Sequence, residues 1–267
     1  MLEIEKKIHY CWFGGTPLPE IAIKCIESWK KYCPSCDIIE WNEENFNLDC
    51  CQYVKEAAEA KKWAFVSDYA RFWIIYNCGG LYFDTDVELI NPIDDILKKG
   101  AFMGMESWGV IAPGLGIAAA KYNALYKEIL EYYQNICYFK YPGVPNEGNV
   151  VSITTKILKQ HGFDVDYKDA QNIDNIWIYP PDYFCPMDYI SGKVTISSNT
   201  RSIHHYAATW INPLEKKITA IERKYDIKGS FYHKIGRCIT LPMRIYNKID
   251  NLGIKGTLDF ITWKIRK

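Results

Sequence analysis

Apolar positions near the N-terminus predict a strand, a helix and a second strand in that order. Residues 7–13 are aromatic and β-prone and end at two glycines, whereas residues 17–31 carry apolar side chains at helical spacing. Residues 37–41 form another short apolar run after a proline. A strand, a helix and a strand in succession are typical of a βαβ unit, so we expect a parallel sheet.

The remaining pattern predicts an α/β fold with a helical C-terminal extension. Helices are expected at 49–60, 62–77, 123–138 and 149–161, and strands at 81–83, 87–90, 102–105, 193–197 and 202–206. From residue 213 onward the pattern is helical and basic, with breaks expected at Gly229, Pro242 and Gly253. We therefore expect one domain over 1–212 and a mostly helical extension over 213–267.

Composition and charge make some functional classes of protein less consistent with this chain than others. The formal net charge is zero, whereas a nucleic-acid-binding protein usually has a basic excess. The N-terminus shows no long apolar run typical of a signal peptide, and no segment approaches the roughly 20 apolar residues of a spanning helix. We therefore expect reduced cysteines and a cytoplasmic location. Aromatic residues make up 15% of the chain, a content that suits sugars and nucleobases but also ordinary cores.

The C-terminal extension differs in charge from the rest. Between residues 230 and 267 eight Lys and Arg residues stand against two Asp residues, among apolar positions that include Leu241, Ile245 and Trp263. This composition is typical of a helix that lies on an anionic membrane surface. It also fits a helix that packs on the catalytic domain or on a partner, so a peripheral contact with the inner face of the cytoplasmic membrane is one of three interpretations.

The candidate chemistry centres on Asp84-Thr85-Asp86. Two carboxylates at the end of a strand, two residues apart, are expected on one face, where a cation would relieve their repulsion. Oxygen ligands of this kind suit Mg²⁺ or Mn²⁺. A D-x-D triplet alone is as typical of a solvated loop, but this one follows Gly79-Gly80 and an apolar triplet. That context places it at the carboxyl edge of a sheet, where α/β folds bind ligands.

A second pair of charges precedes this strand on a predicted helix. Asp68 and Arg71 are three residues apart and therefore share one helix face. The apolar and aromatic residues around them indicate a largely buried helix, and buried charges need partners or substrates. An ordinary surface ion pair is the alternative.

Three motifs in order resemble a known family. They are I-H-Y-C-W-F-G-G at 8–15, S-D-Y-A-R-F followed by G-G-L-Y-F-D-T-D within 67–86, and Y-P-P-D-Y-F at 179–184 with H-H-Y-x-x-T-W at 204–210. Over roughly residues 5–212 the chain resembles the DXD-containing glycosyltransferase family 32, which holds yeast-type initiating mannosyltransferases and bacterial capsule and O-antigen transferases. It is also similar to the glucosyltransferase domains of large clostridial toxins. The closing motif departs slightly, with Thr209-Trp210 where the family usually has Ser-Trp.

The resemblance implies a nucleotide-diphospho-sugar transferase fold of the GT-A type, with a mixed, mostly parallel central sheet flanked by helices. It implies a metal-dependent, retaining transfer of a hexose or N-acetylhexosamine from a nucleotide-sugar, with uridine donors favoured, to a glycan or lipid-linked glycan in surface polysaccharide synthesis. The cofactor would be Mn²⁺ or Mg²⁺.

The resemblance also implies roles for individual residues. Trp12 would stack on the donor base, and Tyr10 and Cys11 would contact that base through their backbone. Asp68 and Arg71 would bind the donor sugar, and Asp84 would contact sugar or ribose, with Thr85 beside it in the donor site. Asp86 would ligate the metal, His204 or His205 would lie near the metal and the diphosphate, and Trp210 would lie near the leaving phosphate. Because neighbouring strand residues alternate in direction, we expect at most one of the two histidines to be a ligand.

The acceptor side is less defined. Glu106 and Asp182 are candidates for the acceptor site, although a solvated loop explains either residue as well, and no residue stands out as a nucleophile. Three alternatives to the transferase are a non-catalytic nucleotide-sugar or carbohydrate-binding module, a metal-dependent phosphohydrolase and a toxin-like transferase that modifies a protein.

Overall fold

The computed structural model describes residues 4–141, 144–146, 148–189, 191–207, 213–226 and 230–265. These residues form two compact units. The first contains 4–138, 148–187 and 194–207, and the second contains the two C-terminal helices together with short segments around 139–146 and 188–193. The boundary predicted after residue 212 lies outside the described residues, so the division into 1–212 and 213–267 stays a prediction.

Twelve strands and nine α-helices occur in the described part of the chain. The strands are β1 Lys7–Cys11, β2 Asp37–Trp41, β3 Gly80–Tyr82, β4 Val87–Leu89, β5 Ala101–Ser107, β6 Val110–Ile111, β7 Ile117–Ala119, β8 Phe139–Tyr141, β9 Val144–Pro145, β10 Gln171–Ile173, β11 Ile176–Tyr179 and β12 Ser202–His204. The helices are α1 Glu20–Tyr32, α2 Gln52–Glu59, α3 Trp63–Cys78, α4 Asp94–Leu97, α5 Ala124–Gln134, α6 Val150–Gln160, α7 Pro181–Phe184, α8 Pro213–Asp226 and α9 Ser230–Ile265.

The first unit is built on a mixed central sheet of eight strands. Its order is β10-β11-β5-β7-β3-β1-β2, with β6 paired to β5. The pairs β1–β2, β1–β3 and β11–β5 are parallel, whereas β7 runs antiparallel to both β3 and β5. Five of the eight strands therefore run in one direction. A separate small sheet pairs β4 with β12 in antiparallel fashion.

The direction of these strands brings several predicted site residues to one edge of the sheet. The carboxyl ends of β1, β3, β5 and β11 all lie at the same edge because these strands run in the same direction. Trp12 follows β1, Asp84 follows β3, Glu106 lies at the end of β5 and Asp182 follows β11. The topology therefore gathers residues that are far apart in sequence at the edge where α/β folds bind ligands.

Helices cover both faces of this sheet because strand residues alternate in direction. Ile8 and Tyr10 on one face of β1 pack in a core with Trp29 of α1 and Phe83. On the other face α3 contacts β1, β3 and β7, and it packs against α5. Helix α3 is apolar almost all round, which explains why it is largely buried despite its two charged residues.

The predicted α/β fold, with a mixed sheet flanked by helices, is confirmed. The strand expected at 193–197 is wrong: only an isolated bridge joins Val194 to Met187, and Ile196 is exposed. The helix break expected at Pro242 is also absent, since α9 continues through it, whereas Gly253 does interrupt the helical backbone with φ +69°. Gly229 lies outside the described residues.

A buried histidine beneath α3 is held in its neutral form. His9 in β1 has no solvent exposure, and its Nδ1 accepts a hydrogen bond from the Trp41 indole at 3.0 Å. Its Nε2 therefore carries the proton and donates to the Gly79 carbonyl at 3.0 Å. Burial lowers the pKa of His9 to about 4.

We expect His9 to make folding stability fall as the pH is lowered. In the unfolded chain this histidine takes up a proton near the ordinary pKa of about 6.5, whereas in the folded protein it stays neutral down to about pH 4. The free energy of unfolding therefore falls between these two pH values, by about 3 kcal/mol in total. Urea unfolding across this pH range measures the free energy of unfolding, and in His9→Gln the part of its pH dependence that comes from His9 should be missing.

His161 provides the control for this prediction. Burial alone would lower its pKa, but hydrogen bonds to Asp174 and Glu128 raise it, so His161→Gln should remove a slope of opposite sign. An unchanged acid slope in the His9 variant would contradict the assignment.

Candidate functional site at the carboxyl edge of the sheet

The D-x-D triplet lies in a tight turn between β3 and β4. The Val87 backbone N–H donates to the Asp84 carbonyl at 3.1 Å, which closes a four-residue turn. The expectation that both carboxylates share one strand face is therefore wrong, because the strand ends at Tyr82. The two side chains make different contacts, while Thr85 between them is buried. The turn thus joins two separate clusters of polar residues.

The first cluster contains Asp84 and the two charged residues of α3. Arg71 places a guanidinium nitrogen 3.1 Å from Asp68 and 3.3 Å from Asp84, and so bridges the two carboxylates. The Tyr82 hydroxyl donates to Asp84 at 2.8 Å, and the Arg71 Nε donates to the Ser67 carbonyl. The spacing of Asp68 and Arg71 predicted a shared helix face, and the structure brings that face against the D-x-D turn.

Burial sets the electrostatics of this cluster. Asp68 and Arg71 are almost inaccessible, whereas 31% of the Asp84 side chain is exposed. Burial raises the pKa of Asp68 to about 6, although the Arg71 charge acts in the opposite direction. Burial also raises the pKa of the neighbouring Cys11 thiol to about 12, so this cysteine is neutral. One permanent positive charge therefore serves two carboxylates, of which only Asp84 reaches solvent.

A glycine makes room for Asp84. Gly114 lies in the 3₁₀ turn Pro113–Leu115, and its carbonyl accepts the Asp84 backbone N–H at 2.9 Å. A Cβ at this position would lie 1.9 Å from Asp84 Oδ2. No local pattern singles out Gly114, since its importance depends on a contact between segments that are separate in the chain.

We expect Gly114→Ala to destabilise the protein by forcing Asp84 out of place. Overpacking of this kind typically costs about 1–3 kcal/mol. The control is the same substitution in an Asp84→Ala background, where the colliding atoms are absent and the added cost should be small. Urea unfolding of the wild type, the two single variants and the double variant measures both effects. Equal costs in the two backgrounds would show that the methyl group collides with something else.

The second cluster surrounds Asp86. His204 Nε2 lies 3.3 Å from Asp86 Oδ1, and the Ala207 backbone N–H donates to Asp86 Oδ2 at 2.9 Å. The His205 backbone N–H also donates to the Asp86 carbonyl at 2.9 Å. The pairing of β12 with β4 produces these contacts, because it sets His204 opposite Val87, next to Asp86.

The charges of this second pair support one another. Burial opposes the charged form of both groups, but hydrogen bonding and attraction outweigh it. The pKa of Asp86 is consequently lowered, and the pKa of His204 is raised to about 10. Without another cation beside it, Asp86 is therefore a carboxylate paired with an imidazolium.

The structure separates the two histidine candidates. His205 Nε2 lies 2.7 Å from Glu88, whose carboxylate also pairs with Lys24 at 2.8 Å. The side chain of His205 therefore belongs to a different ion-pair group, and of the two histidines it is His204 that contacts the side chain of Asp86. Alternation along the strand had predicted that one histidine at most would approach this carboxylate.

The donor atoms around Asp86 are of a kind that a divalent cation binds. No group of three His, Cys, Asp or Glu side chains converges as a metal site among the described residues. The Asp86–His204 pair offers one carboxylate and one imidazole, with His204 Nε2 facing Asp86 Oδ1 at 3.3 Å. Mg²⁺ is commonly held by one or two carboxylates, with waters and substrate phosphates completing its shell. These donors suit Mn²⁺ or Mg²⁺.

Tyr10 and Cys11 at the end of β1, and Trp12 directly after it, have different surroundings. The Tyr10 hydroxyl donates to Glu40 at 2.6 Å and its ring is buried in the core, while Cys11 faces Arg71 and Asp84. Trp12 is half-buried, and its indole N–H donates to the Thr16 carbonyl at 2.6 Å. Of the two aromatic residues, Trp12 is partly accessible and Tyr10 is buried.

The two acceptor candidates differ in their surroundings. Glu106 interacts with the hydroxyl of Tyr206, whose ring centroid lies 4.2 Å from that of His204. Asp182 instead accepts hydrogen bonds from Ser197 and Asn199, and so holds the loop before β12. The structure thus links Glu106 to the Asp86 cluster through Tyr206 and assigns Asp182 a role in loop structure. Trp210 lies outside the described residues.

Tyr206 and Cys185 belong to this cluster, although the sequence did not point to them. The Cys185 thiol and the Tyr206 hydroxyl lie 3.0 Å apart, and both are close to His204. Tyr206 has a positive φ of 50°, unusual for a side chain of its size. Its position directly after the two histidines was the available signal.

Comparison with known proteins supports a sugar-related site. Residues 19–103 match a family model described as a glycosyltransferase sugar-binding region containing a DXD motif, and this segment includes Asp68, Arg71 and both acids of the triplet. No curated protein matches the chain. The chain is similar to a solved structure described as PaToxG glycosyltransferase, with 19% identity, a TM-score of 0.45, and coverage of 59% of this chain and 68% of that chain. Membership of family 32 and a relation to the clostridial toxins stay predictions. Residues 19–103 are thus similar to the sugar-binding region of glycosyltransferases.

Proposed function

We propose that the protein is a metal-dependent, retaining glycosyltransferase. It transfers a hexose or N-acetylhexosamine from a nucleotide-sugar, with a uridine nucleotide favoured, to a glycan or lipid-linked glycan acceptor. The observation that carries this proposal is the D-x-D turn, which joins an Arg71-centred cluster to an Asp86–His204 pair at one edge of the sheet. The catalytic region is proposed to span 1–212, and surface polysaccharide synthesis is the proposed setting.

The first cluster provides groups that can orient a sugar. Asp84 is the partly exposed carboxylate, and it can accept hydrogen bonds from sugar or ribose hydroxyls while Arg71 and Tyr82 fix its position. Asp68 pairs with the same guanidinium, and because it is buried its contribution is to position Arg71. Trp12 offers an aromatic face for the base.

The second cluster provides groups for the departing diphosphate. A divalent cation bound at Asp86 would neutralise negative charge on the leaving group as a Lewis acid. His204 can hydrogen-bond a phosphate oxygen or share in holding that cation, and Ala207 keeps the Asp86 carboxylate oriented through its N–H. These roles separate sugar orientation from leaving-group stabilisation on the two sides of one turn.

Retention of configuration is proposed to follow same-face attack. The bond between the anomeric carbon and the diphosphate oxygen breaks with its electron pair on the diphosphate. The acceptor hydroxyl oxygen forms the new bond on the same face, and its proton passes to the departing diphosphate. This route needs no protein nucleophile, so Asp68 and Asp84 keep their pairing with Arg71 throughout.

Donor hydrolysis by the purified protein tests this proposal. UDP- and GDP-linked sugars are incubated with the protein and Mn²⁺, with Mg²⁺, or with a chelator, and released nucleotide and free sugar are measured. We expect slow, metal-dependent release from one nucleotide-sugar, with the released sugar initially in the anomeric configuration of the donor.

The outcomes distinguish the alternatives. Metal-dependent binding of a nucleotide-sugar that is never turned over with any tested glycan would favour a binding module. Phosphate release from many simple esters would favour a phosphohydrolase. Absence of both binding and release would contradict the donor-site assignment.

A further inference from the structure

Helix α9 of the second unit has one face that is covered by α8. Arg244 pairs with Glu222 of α8 through two hydrogen bonds of 2.8 and 2.9 Å, and Asn247 donates to Glu215. Thr240 is buried and donates to the same Glu222. Residues 240, 244 and 247 follow helical spacing, so they mark the side of α9 that faces α8.

The helices approach closely along this side. Gly236, one turn before Thr240, is buried, and a Cβ there would lie 2.9 Å from Tyr225 of α8. Both the small residue and the ion pair therefore belong to a packed interface between the two helices. The α8 side of α9 is accordingly filled by protein.

The opposite side of α9 carries an exposed apolar stripe. Leu241, Ile245 and Ile249 are spaced by four residues and lie above one another on the helix. Ile239 and Tyr246 widen the stripe, and the exposed fractions of these five residues lie between 38% and 64%. A contiguous exposed apolar surface of this kind indicates a contact with a membrane or another molecule.

Basic residues accompany the apolar stripe. Lys234 and Arg237 are exposed, and Arg237 precedes Leu241 by one helical turn. Residues 230–267 carry eight Lys and Arg against two Asp in the sequence, a net of +6. An apolar stripe beside basic side chains matches the boundary between the acyl chains and the headgroups of an anionic bilayer.

The basic charge beside the apolar stripe indicates which kind of molecule can cover it. A second copy of the chain would bring two strongly basic helices together, and like charges would oppose that contact. No helix within the described residues is long and apolar enough to cross a membrane, so the helix would lie along the surface rather than span the bilayer. Charge complementarity therefore favours a surface rich in anionic phospholipid.

We propose that the stripe formed by Ile239, Leu241, Ile245, Tyr246 and Ile249 is a membrane-docking surface for anionic phospholipid. The apolar side chains enter the bilayer boundary, and Lys234 and Arg237 contact the phosphate-bearing headgroups. This proposal goes beyond the transferase activity and does not depend on it, because it concerns a separate unit and predicts binding of lipid without any donor.

Vesicle co-sedimentation of the full chain tests the proposal. One set of vesicles contains phosphatidylcholine alone, and the other contains phosphatidylcholine mixed with phosphatidylglycerol. We expect the wild type to sediment with the anionic vesicles, with binding that weakens as salt is added. The double variant Leu241→Glu/Ile245→Glu should bind roughly tenfold more weakly. It replaces two side chains that enter the bilayer by carboxylates, which the anionic headgroups repel.

Two controls separate docking from misfolding. Ile23 is an apolar residue of α1 with 50% exposure, and Ile23→Glu should leave vesicle binding unchanged. Circular dichroism should show the same helix content and melting temperature in the wild type and in every variant, because the substituted side chains are exposed. Lys234→Glu/Arg237→Glu should weaken binding to the anionic vesicles without affecting the neutral ones.

Three results would overturn the proposal. They are equal binding of the wild type to both kinds of vesicle, unchanged binding by the double apolar variant, and a wild type that ignores vesicles but forms a dimer that the double variant cannot form in analytical ultracentrifugation. The last result would assign the stripe to a second copy of the chain.

Discussion

Asp86→Asn should lower the rate of metal-dependent donor hydrolysis roughly a hundredfold to a thousandfold. The proposed role of Asp86 is to hold the cation that stabilises the leaving diphosphate, an effect worth several kcal/mol, which corresponds to about that loss of rate. Asparagine keeps the size of the side chain and an oxygen that can accept the Ala207 N–H, so the turn should persist. The measurements are kcat for donor hydrolysis and, separately, Mn²⁺ affinity by titration calorimetry in the presence of nucleoside diphosphate.

A second carboxylate serves as the control. Asp95 pairs with Arg201 at 2.7 Å, and 57% of its side chain is exposed. Asp95→Asn should change kcat by no more than about twofold, as expected for a surface substitution. If Asp86→Asn stays folded and retains a rate close to that of the wild type, Asp86 does not carry the cation.

Arg71→Met should have the largest effect on stability of any single substitution considered. The guanidinium bridges two carboxylates, and without it the buried Asp68, whose pKa is already raised to about 6, loses the positive charge that keeps it ionised. Breaking a buried ion pair by removing one partner typically costs about 3–5 kcal/mol. Methionine retains most of the length of the side chain, which limits the loss of packing.

Urea unfolding near neutral pH measures this loss, and Lys127→Met provides the comparison. Lys127 pairs with Glu131 one turn further along the exposed face of α5, at 3.4 Å. Its replacement should cost about 0.5 kcal/mol or less. Adding Asp68→Asn to the Arg71 variant should restore part of the stability, since it removes one of the two stranded charges. Equal costs for the Arg71 and Lys127 variants would mean that the bridge contributes no more than a surface pair.

The helices and strands of the N-terminal part of the fold could be predicted from the sequence. The alternation of strands and helices up to α3 follows from apolar spacing and from glycines at the ends of elements, as at Gly79. The expected strand at 193–197 failed because β-prone composition does not supply a neighbouring strand with which to pair. Helix α9 continues through Pro242, although a proline inside a helix usually breaks or kinks it.

The candidate site was predictable in its members but not in their pairing. Helix spacing placed Asp68 beside Arg71, whereas the contact of Arg71 with Asp84 depends on how α3 packs over the sheet. The choice of His204 over His205 depends on the register between β12 and β4, which no local pattern encodes. Gly114 could not be identified because its small size matters only where another segment approaches it.

The small β4–β12 sheet has a consequence for the order in which the molecule assembles. Arg71 meets Asp68 three residues away within one helix, whereas the Ala207 N–H reaches Asp86 across 121 residues of chain. Contacts between distant residues require closure of a long loop, and their entropic cost delays them during folding. The Asp68–Arg71 pair can therefore form with its helix, but Asp86 finds His204 only after nearly all of the first unit has been synthesised and β12 has docked. A nascent chain that ends before β12 would carry the D-x-D turn without the contacts that hold its second carboxylate.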